Sequence, residues 1–130
     1  MNRKRVLIVD DDLDQHTLCE VFLVRQGFEV LHAYDGEEGV ALARSARPDV
    51  ILMDRRMPRL DGMEAFRRLL ADPRTARIPV VALSADVLAW TESRTLEAGF
   101  ARHLAKPVDL RRILHTIREL LDGTSPVAAA

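Results

Sequence analysis

The sequence predicts an α/β domain built as a three-layer sandwich, with one parallel sheet between two layers of helices. Three observations predict it. Four short apolar runs each end in polar residues: Val6 to Val9 in Asp10, Asp11 and Asp12; Val50 to Met53 in Asp54; Val80 to Leu83 in Ser84; and His103 to Ala105 in Lys106 and Pro107. Helical periodicities alternate with these runs, as they do where crossover helices join parallel strands. Right-handed crossovers then cover both faces of the sheet. In such sheets ligands bind outside the carboxyl ends of the strands. One rim therefore gathers three carboxylates, a hydroxyl and an ammonium. Carboxylates held together repel unless a cation joins them, and a hard divalent ion with oxygen ligands, Mg2+, suits them best.

Five strands are expected near 5–10, 28–33, 49–54, 79–84 and 102–106. The first helix, near 13–26, begins with Asp12 and Gln15 at the spacing of a capping box. Asp35 with Glu38, and Asp61 with Glu64, repeat that spacing before the second and third helices. The third helix is expected to turn Met63, Phe66, Leu69 and Leu70 inward. The fourth, near 87–98, has the weakest periodicity. In the last helix Leu110, Ile113, Leu114, Ile117, Leu120 and Leu121 form one apolar stripe, with Asp109 as its N-cap. Gly27 and Gly99 stand where helix C-caps are expected. Residues 1–122 then make one domain, and 123–130 have no pattern and read as a flexible tail.

Composition narrows the function. A chain of 130 residues with 48% hydrophobic residues is long enough for one well-formed core. A net charge of −1 gives no electrostatic reason to expect nucleic-acid binding. The single Cys19 falls inside a helical pattern, which excludes a disulfide framework and a zinc site and leaves a small buried hydrophobe. No apolar stretch approaches the ~20 residues needed to span a bilayer. The basic start at Arg3, Lys4 and Arg5 leads into an apolar run of only four residues, a strand rather than a signal peptide. The chain reads as cytoplasmic.

The sequence resembles the receiver domain of two-component response regulators from Val6 to Leu121. The motifs that carry the resemblance are VLIVDDD, VILMDRRMPRLDG, VVALSAD and AKPVD, in that order. The resemblance implies a flavodoxin-like (βα)5 fold with strand order 2-1-3-4-5, the order known for receivers. It implies that Asp54 is the phosphoacceptor and that Asp10 and Asp11 organise Mg2+, with Asp11 the closer ligand. It also makes Ser84 the switch hydroxyl, Lys106 the partner of the phosphoryl group and the Arg56 carbonyl a further metal ligand. The Lys106–Pro107 bond is expected to be cis. The implied function is phosphorelay signalling: a phosphoryl group passes from phosphohistidine to Asp54, and the helix 4–strand 5–helix 5 face changes. The partners are a sensor histidine kinase or histidine phosphotransfer protein and a downstream protein that reads this face, with a homodimer also open. Such a domain catalyses much of its own phosphorylation and loses the phosphate slowly. It is a signalling module more than an enzyme.

The residues also have plainer readings. Asp12 reads first as a helix cap and second as a ligand, and Asp61 likewise. Ser84 and Lys106, each taken alone, are an ordinary strand-end hydroxyl and a solvated lysine. Asp54, directly after four apolar residues, is harder to dismiss, because an unpaired carboxylate there is costly. Met53, Met57 and Met63 are core or loop filler. Trp90 is open between partial burial and partner contact.

Two departures stand out. His103 takes the place of an aromatic switch residue; either it couples Ser84 to the outer face in a pH-dependent way, or it is an exposed histidine without coupling. Arg56 and Asp86 flank the mouth of the site with opposite charges; either they approach and shield the phosphoaspartate from water, or they are two solvated side chains. Two other functions compete with this reading. Asp10 to Asp12 contains the D-x-D spacing of haloacid-dehalogenase-type phosphatases, but those place the nucleophile on the first strand and use a longer chain. A phosphate-independent interaction module would not need the full acidic set. The chain fits a free-standing regulator, the receiver of a hybrid kinase or the first domain of a longer regulator, and Met1 with the short tail favours the first.

Overall fold

The computed structural model describes residues 3–57, 59–85 and 92–122. Strands and helices alternate: β1 (Arg5–Val9), α1 (Leu13–Arg25), β2 (Glu29–Ala33), α2 (Gly36–Ala46), β3 (Val50–Asp54), α3 (Gly62–Ala71), β4 (Val80–Ser84), α4 (Glu92–Ala98), β5 (Arg102–Ala105) and α5 (Leu110–Leu121). Each strand falls within the expected range and is one residue shorter. The five pair in parallel in the order β2-β1-β3-β4-β5. The expected architecture and strand order are both present.

The alternation of side chains along a strand divides the core in two. Leu7, Val9, Ile51, Met53, Val80 and Ala82 face Val40 and Ala43 of α2 and Ala65, Phe66 and Leu69 of α3. Val6, Ile8, Val50, Leu52, Val81, Leu83 and Leu104 face Cys19 and Leu23 of α1 and Ile113 and Ile117 of α5. The central strands are buried on both faces, which is why they read as continuous apolar runs rather than alternating ones. All six expected residues of the α5 stripe pack on the second cluster. Leu70 does not follow expectation: it is 44% exposed, because α3 turns Ala65, Phe66 and Leu69 to the sheet and carries Leu70 past the edge of that face.

Aspartates start four of the helices. The side chains of Asp35 and Asp61 accept from the amides of Glu38 and Glu64 at 2.8 and 2.9 Å. Those of Asp12 and Asp109 accept from Asp14 and Arg111, two residues on. The capping box expected from Gln15 is therefore replaced by a tighter cap, and the Gln15 amide reaches Cys19 Sγ instead. Gly27 and Gly99 take positive φ values of 95° and 113° just beyond α1 and α4. Phe28 and Phe100 then donate back to Leu23 and Thr95, closing both helices in the way glycine permits. The helix expected over 87–98 lies partly outside the described residues, as do Trp90 and the tail 123–130.

Candidate functional site: an acidic pocket at the carboxyl rim

The carboxyl ends of β1, β3, β4 and β5 bring the predicted residues together. β1 ends at Val9, and the chain passes through Asp10 and Asp11 before Asp12 caps α1. Asp54 is the last residue of β3. Arg55 N–H still donates to Leu83 in β4 at 3.0 Å, while the Arg55 carbonyl accepts from Gly62 at 2.8 Å. A Cβ on Gly62 would lie 2.4 Å from the Asp54 carbonyl oxygen, so only glycine lets α3 start this close to the strand. Ser84 ends β4, and its carbonyl accepts from the Lys106 amide at 2.9 Å. That bond carries the ladder one residue past β5 and sets Lys106 over the rim. The Lys106–Pro107 bond is cis, as expected.

One carboxylate oxygen from each of Asp10, Asp11 and Asp54 lies within 4.8 Å of the others. Asp10 is fully buried, Asp54 is buried and Asp11 is exposed. Lys106 Nζ sits 2.9 Å from Asp54 Oδ1 and 3.3 Å from Asp10 Oδ2. Burial pushes the Asp54 carboxyl up, the Lys106 hydrogen bond opposes this, and the charges of Asp10 and Asp11 add to the rise. Burial also works against the Lys106 charge, but the hydrogen bond and charge of Asp54, then those of Asp10, outweigh it and raise its pKa. The rim thus holds more negative charge than one ammonium offsets. An all-oxygen donor set with excess negative charge fits a hard divalent cation.

A cavity of about 450 Å³ opens here, lined by Asp54, Arg55, Arg56, Ser84, Ala85 and Lys106. Ser84 is buried and Arg56 is exposed. Asp86, expected to face Arg56, lies outside the described residues. His103, opposite Ala82 in the ladder, is half-buried rather than exposed. Its Nε2 is shut off from water and has no hydrogen-bond partner among the described residues. Asp12 and Asp61 serve as helix caps. Sequence reasoning missed Arg55 as a lining residue and missed His16, whose ring bonds to the Asp10 backbone. The available signal was a histidine in the apolar stripe of α1, three and seven residues before Cys19 and Leu23.

Fold and site together define a doubly wound α/β domain with a metal-competent acidic pocket at its carboxyl rim. The sequence model of the response regulator receiver domain matches residues 6–118. The chain is 40% identical over 119 residues to the protein PilH of Pseudomonas aeruginosa, covering 92% of this chain and 98% of PilH. It is 33% identical over 118 residues to the polar-differentiation response regulator DivK of Brucella anthropi, covering 91% and 96%. The crystal structure of the receiver domain of a Pseudomonas aeruginosa sensor histidine kinase superposes with a TM-score of 0.84 at 32% identity, covering 93% of this chain and 99% of that one. That structure holds a magnesium ion in its active-site cleft. The chain belongs to the response regulator receiver domain family. Its members are signalling domains of two-component systems rather than classical enzymes, and they interact with histidine kinases and downstream targets. No helix among the described residues is long and apolar enough to cross a membrane.

Proposed function

We propose that this domain is a Mg2+-dependent phosphoacceptor switch, which takes a phosphoryl group from a phosphohistidine onto Asp54. The observation that carries this reading is the convergence of Asp10, Asp11 and Asp54 with Lys106 held between two of them. Asp10, Asp11 and Asp54, with the backbone carbonyl of Arg56, are the residues that would hold the ion. Bound Mg2+ supplies the positive charge that lets a carboxylate approach an anionic phosphoryl group. An Asp54 oxygen attacks phosphorus. The P–O bond forms as the P–N bond to the donor imidazole breaks, and the bonding pair stays on the imidazole nitrogen. Lys106, charged and already beside Asp54, pairs with a phosphoryl oxygen.

Ser84, at the end of the neighbouring strand, donates its hydroxyl to the new phosphate. The shift passes through β4 to His103 in β5 and so to the α4–β5–α5 face, where a downstream protein reads it. The donor is a sensor histidine kinase or a histidine phosphotransfer protein. Leu13, Leu18, Val21 and Val24 are exposed along α1, which starts beside Asp11, and they offer that donor an apolar footing. A lone buried cysteine fits the cytoplasm.

Intact mass spectrometry tests the reading. Protein incubated with acetyl phosphate and Mg2+ is expected to gain one phosphoryl group. The adduct should vanish with a chelator and in Asp54→Asn. An adduct that survives in Asp54→Asn, or none formed from either acetyl phosphate or a phosphohistidine protein, overturns it.

A further inference from the structure

A second polar chain runs up to the back of the acidic pocket. His16 lies on the buried face of α1 with Cys19 and Leu23. Its Nε2 is 2.7 Å from the backbone carbonyl oxygen of Asp10, and its Nδ1 is 2.7 Å from Nδ1 of His32 on β2. His32 Nε2 is 2.9 Å from Oε1 of Glu20, one turn further along α1. The Tyr34 ring lies against His16, with centroids 4.4 Å apart. The contacts form one line from the exposed carboxylate of Glu20 to the peptide of Asp10.

Both ends of the line are acceptors. A carbonyl only accepts, so His16 donates from Nε2. The Glu20 carboxylate accepts from His32 Nε2–H. The two Nδ1 atoms lie within hydrogen-bond distance of each other, so each ring is held at both of its nitrogens. The receiving peptide is the critical one. Asp10 is fully buried, and its N–H continues the sheet ladder onto Ala33 at 3.1 Å. Its carbonyl lies where the chain leaves the sheet, and a buried carbonyl needs a partner. His16 is that partner. The same peptide sets where Asp11 leaves the backbone, and Asp10 Oδ1 accepts from Asp12 N–H at 2.9 Å. Rotating this peptide would move both carboxylates.

We propose that His16 is a positioning residue for the divalent-cation site: its hydrogen bond to the Asp10 carbonyl, backed by His32 and Glu20, holds Asp10 and Asp11 where both converge on Asp54. The proposal deepens the phosphoacceptor reading and rests on it. Partners that orient metal ligands from behind are worth about 10–100-fold in metal affinity. Here the contact is to a ligand's backbone, so the lower end applies.

The test compares wild type, His16→Leu and His16→Gln. Leucine fills similar space without a donor, whereas glutamine returns an N–H to the carbonyl. Calorimetry with Mg2+ alone is expected to show about tenfold weaker binding in His16→Leu. His16→Gln should recover most of the loss. Phosphorylation of His16→Leu by acetyl phosphate should be slowed at limiting Mg2+ and close to wild type at saturating Mg2+. In cation-free protein the amide resonances of Asp11 and Asp12 should move in His16→Leu and return toward wild type in His16→Gln. Wild-type affinity in His16→Leu, or a His16→Gln as weak as His16→Leu, overturns the proposal. If His16→Leu does not fold, His32→Leu on the edge strand takes its place: a smaller loss of affinity supports the proposal, and none overturns it. A wild type that neither binds Mg2+ nor takes a phosphoryl group removes the phosphoacceptor reading and this proposal with it. A wild type that does both, matched by His16→Leu, removes only the positioning role.

Discussion

Asp54 and Asp72 lie at opposite ends of the sheet and are held in opposite ways. Asp54 closes β3 at the carboxyl rim, crowded by Asp10 and Asp11 and steadied by one ammonium. Asp72 follows α3 at the other end, where Arg74 grips it through Nη2 at 2.8 Å and Nε at 3.1 Å. Arg44 Nε adds a contact at 2.9 Å, and the Arg74 amide donates to it as well. Burial pushes the Asp54 carboxyl up, whereas the hydrogen bonds of Arg74 hold that of Asp72 well below the usual carboxylate range. Asp49, also at that end, accepts from the Arg5 amide at 2.7 Å. One end supplies its carboxylates with partners, and the other supplies negative charge in excess of partners. Reactive sites are commonly built in the second way, at a cost in stability that the rest of the fold offsets.

Exchanging each carboxylate for its amide gives the sharpest test of this contrast. Asp54→Asn is expected to abolish the phosphoryl adduct completely and, in cation-free buffer, to raise the melting temperature by a few degrees, since it relieves the crowding of three carboxylates around one buried position. Asp72→Asn is expected to keep the adduct and lower the melting temperature. Mass spectrometry and thermal melts on the same samples check both. If the two variants shift the melting temperature in the same direction, the contrast fails.

The pH dependence sharpens it. The folded pKa of Asp54 is raised, so its ionised form disfavours the fold. That penalty is absent below the ordinary value of 3.8 and grows as pH rises through the raised folded value. The folded pKa of Asp72 is lowered, so its contribution is present above 3.8 and is lost as pH falls through the folded value. Melts across acidic pH should therefore show the advantage of Asp54→Asn shrinking first as pH falls. The deficit of Asp72→Asn should close only at lower pH.

The smallest effect belongs to Thr75, buried beside Asp72, whose hydroxyl donates to the Leu69 carbonyl at 2.7 Å. Thr75→Val leaves that carbonyl only the longer bond from the Asp72 amide, at 3.4 Å, and should cost about 1 kcal/mol, read by chemical denaturation. Its phosphorylation should match wild type, because this end of the sheet contributes stability alone.

The fold was legible because the central strands are buried on both faces. A strand in that setting is a short unbroken apolar run, and the residue that ends it stands out. Asp10, Asp54, Ser84 and Lys106 were found in that way, and the parallel order then fixed them on one rim. What failed depended on side-chain reach rather than pattern. Leu70 keeps helical spacing yet falls beyond the edge of the sheet. Gln15 has the spacing of a capping box but turns to Cys19. In α1 the buried face carries His16, while Leu13, Leu18, Val21 and Val24 are exposed. Apolarity alone therefore does not tell which side of α1 faces inward. The line from Glu20 to Asp10 joins a helix to an edge strand through two histidines that are 16 residues apart, and no local motif announces it.

The grip on Lys106 also governs reagents. The chain has two lysines against seventeen arginines, and the other lysine, Lys4, is exposed. Two carboxylates keep Lys106 as an ammonium, which leaves little free amine to attack an acylating reagent. Between the two lysines such a reagent therefore selects Lys4, and acylation of Lys106 becomes a covalent signal that the carboxylates have let it go.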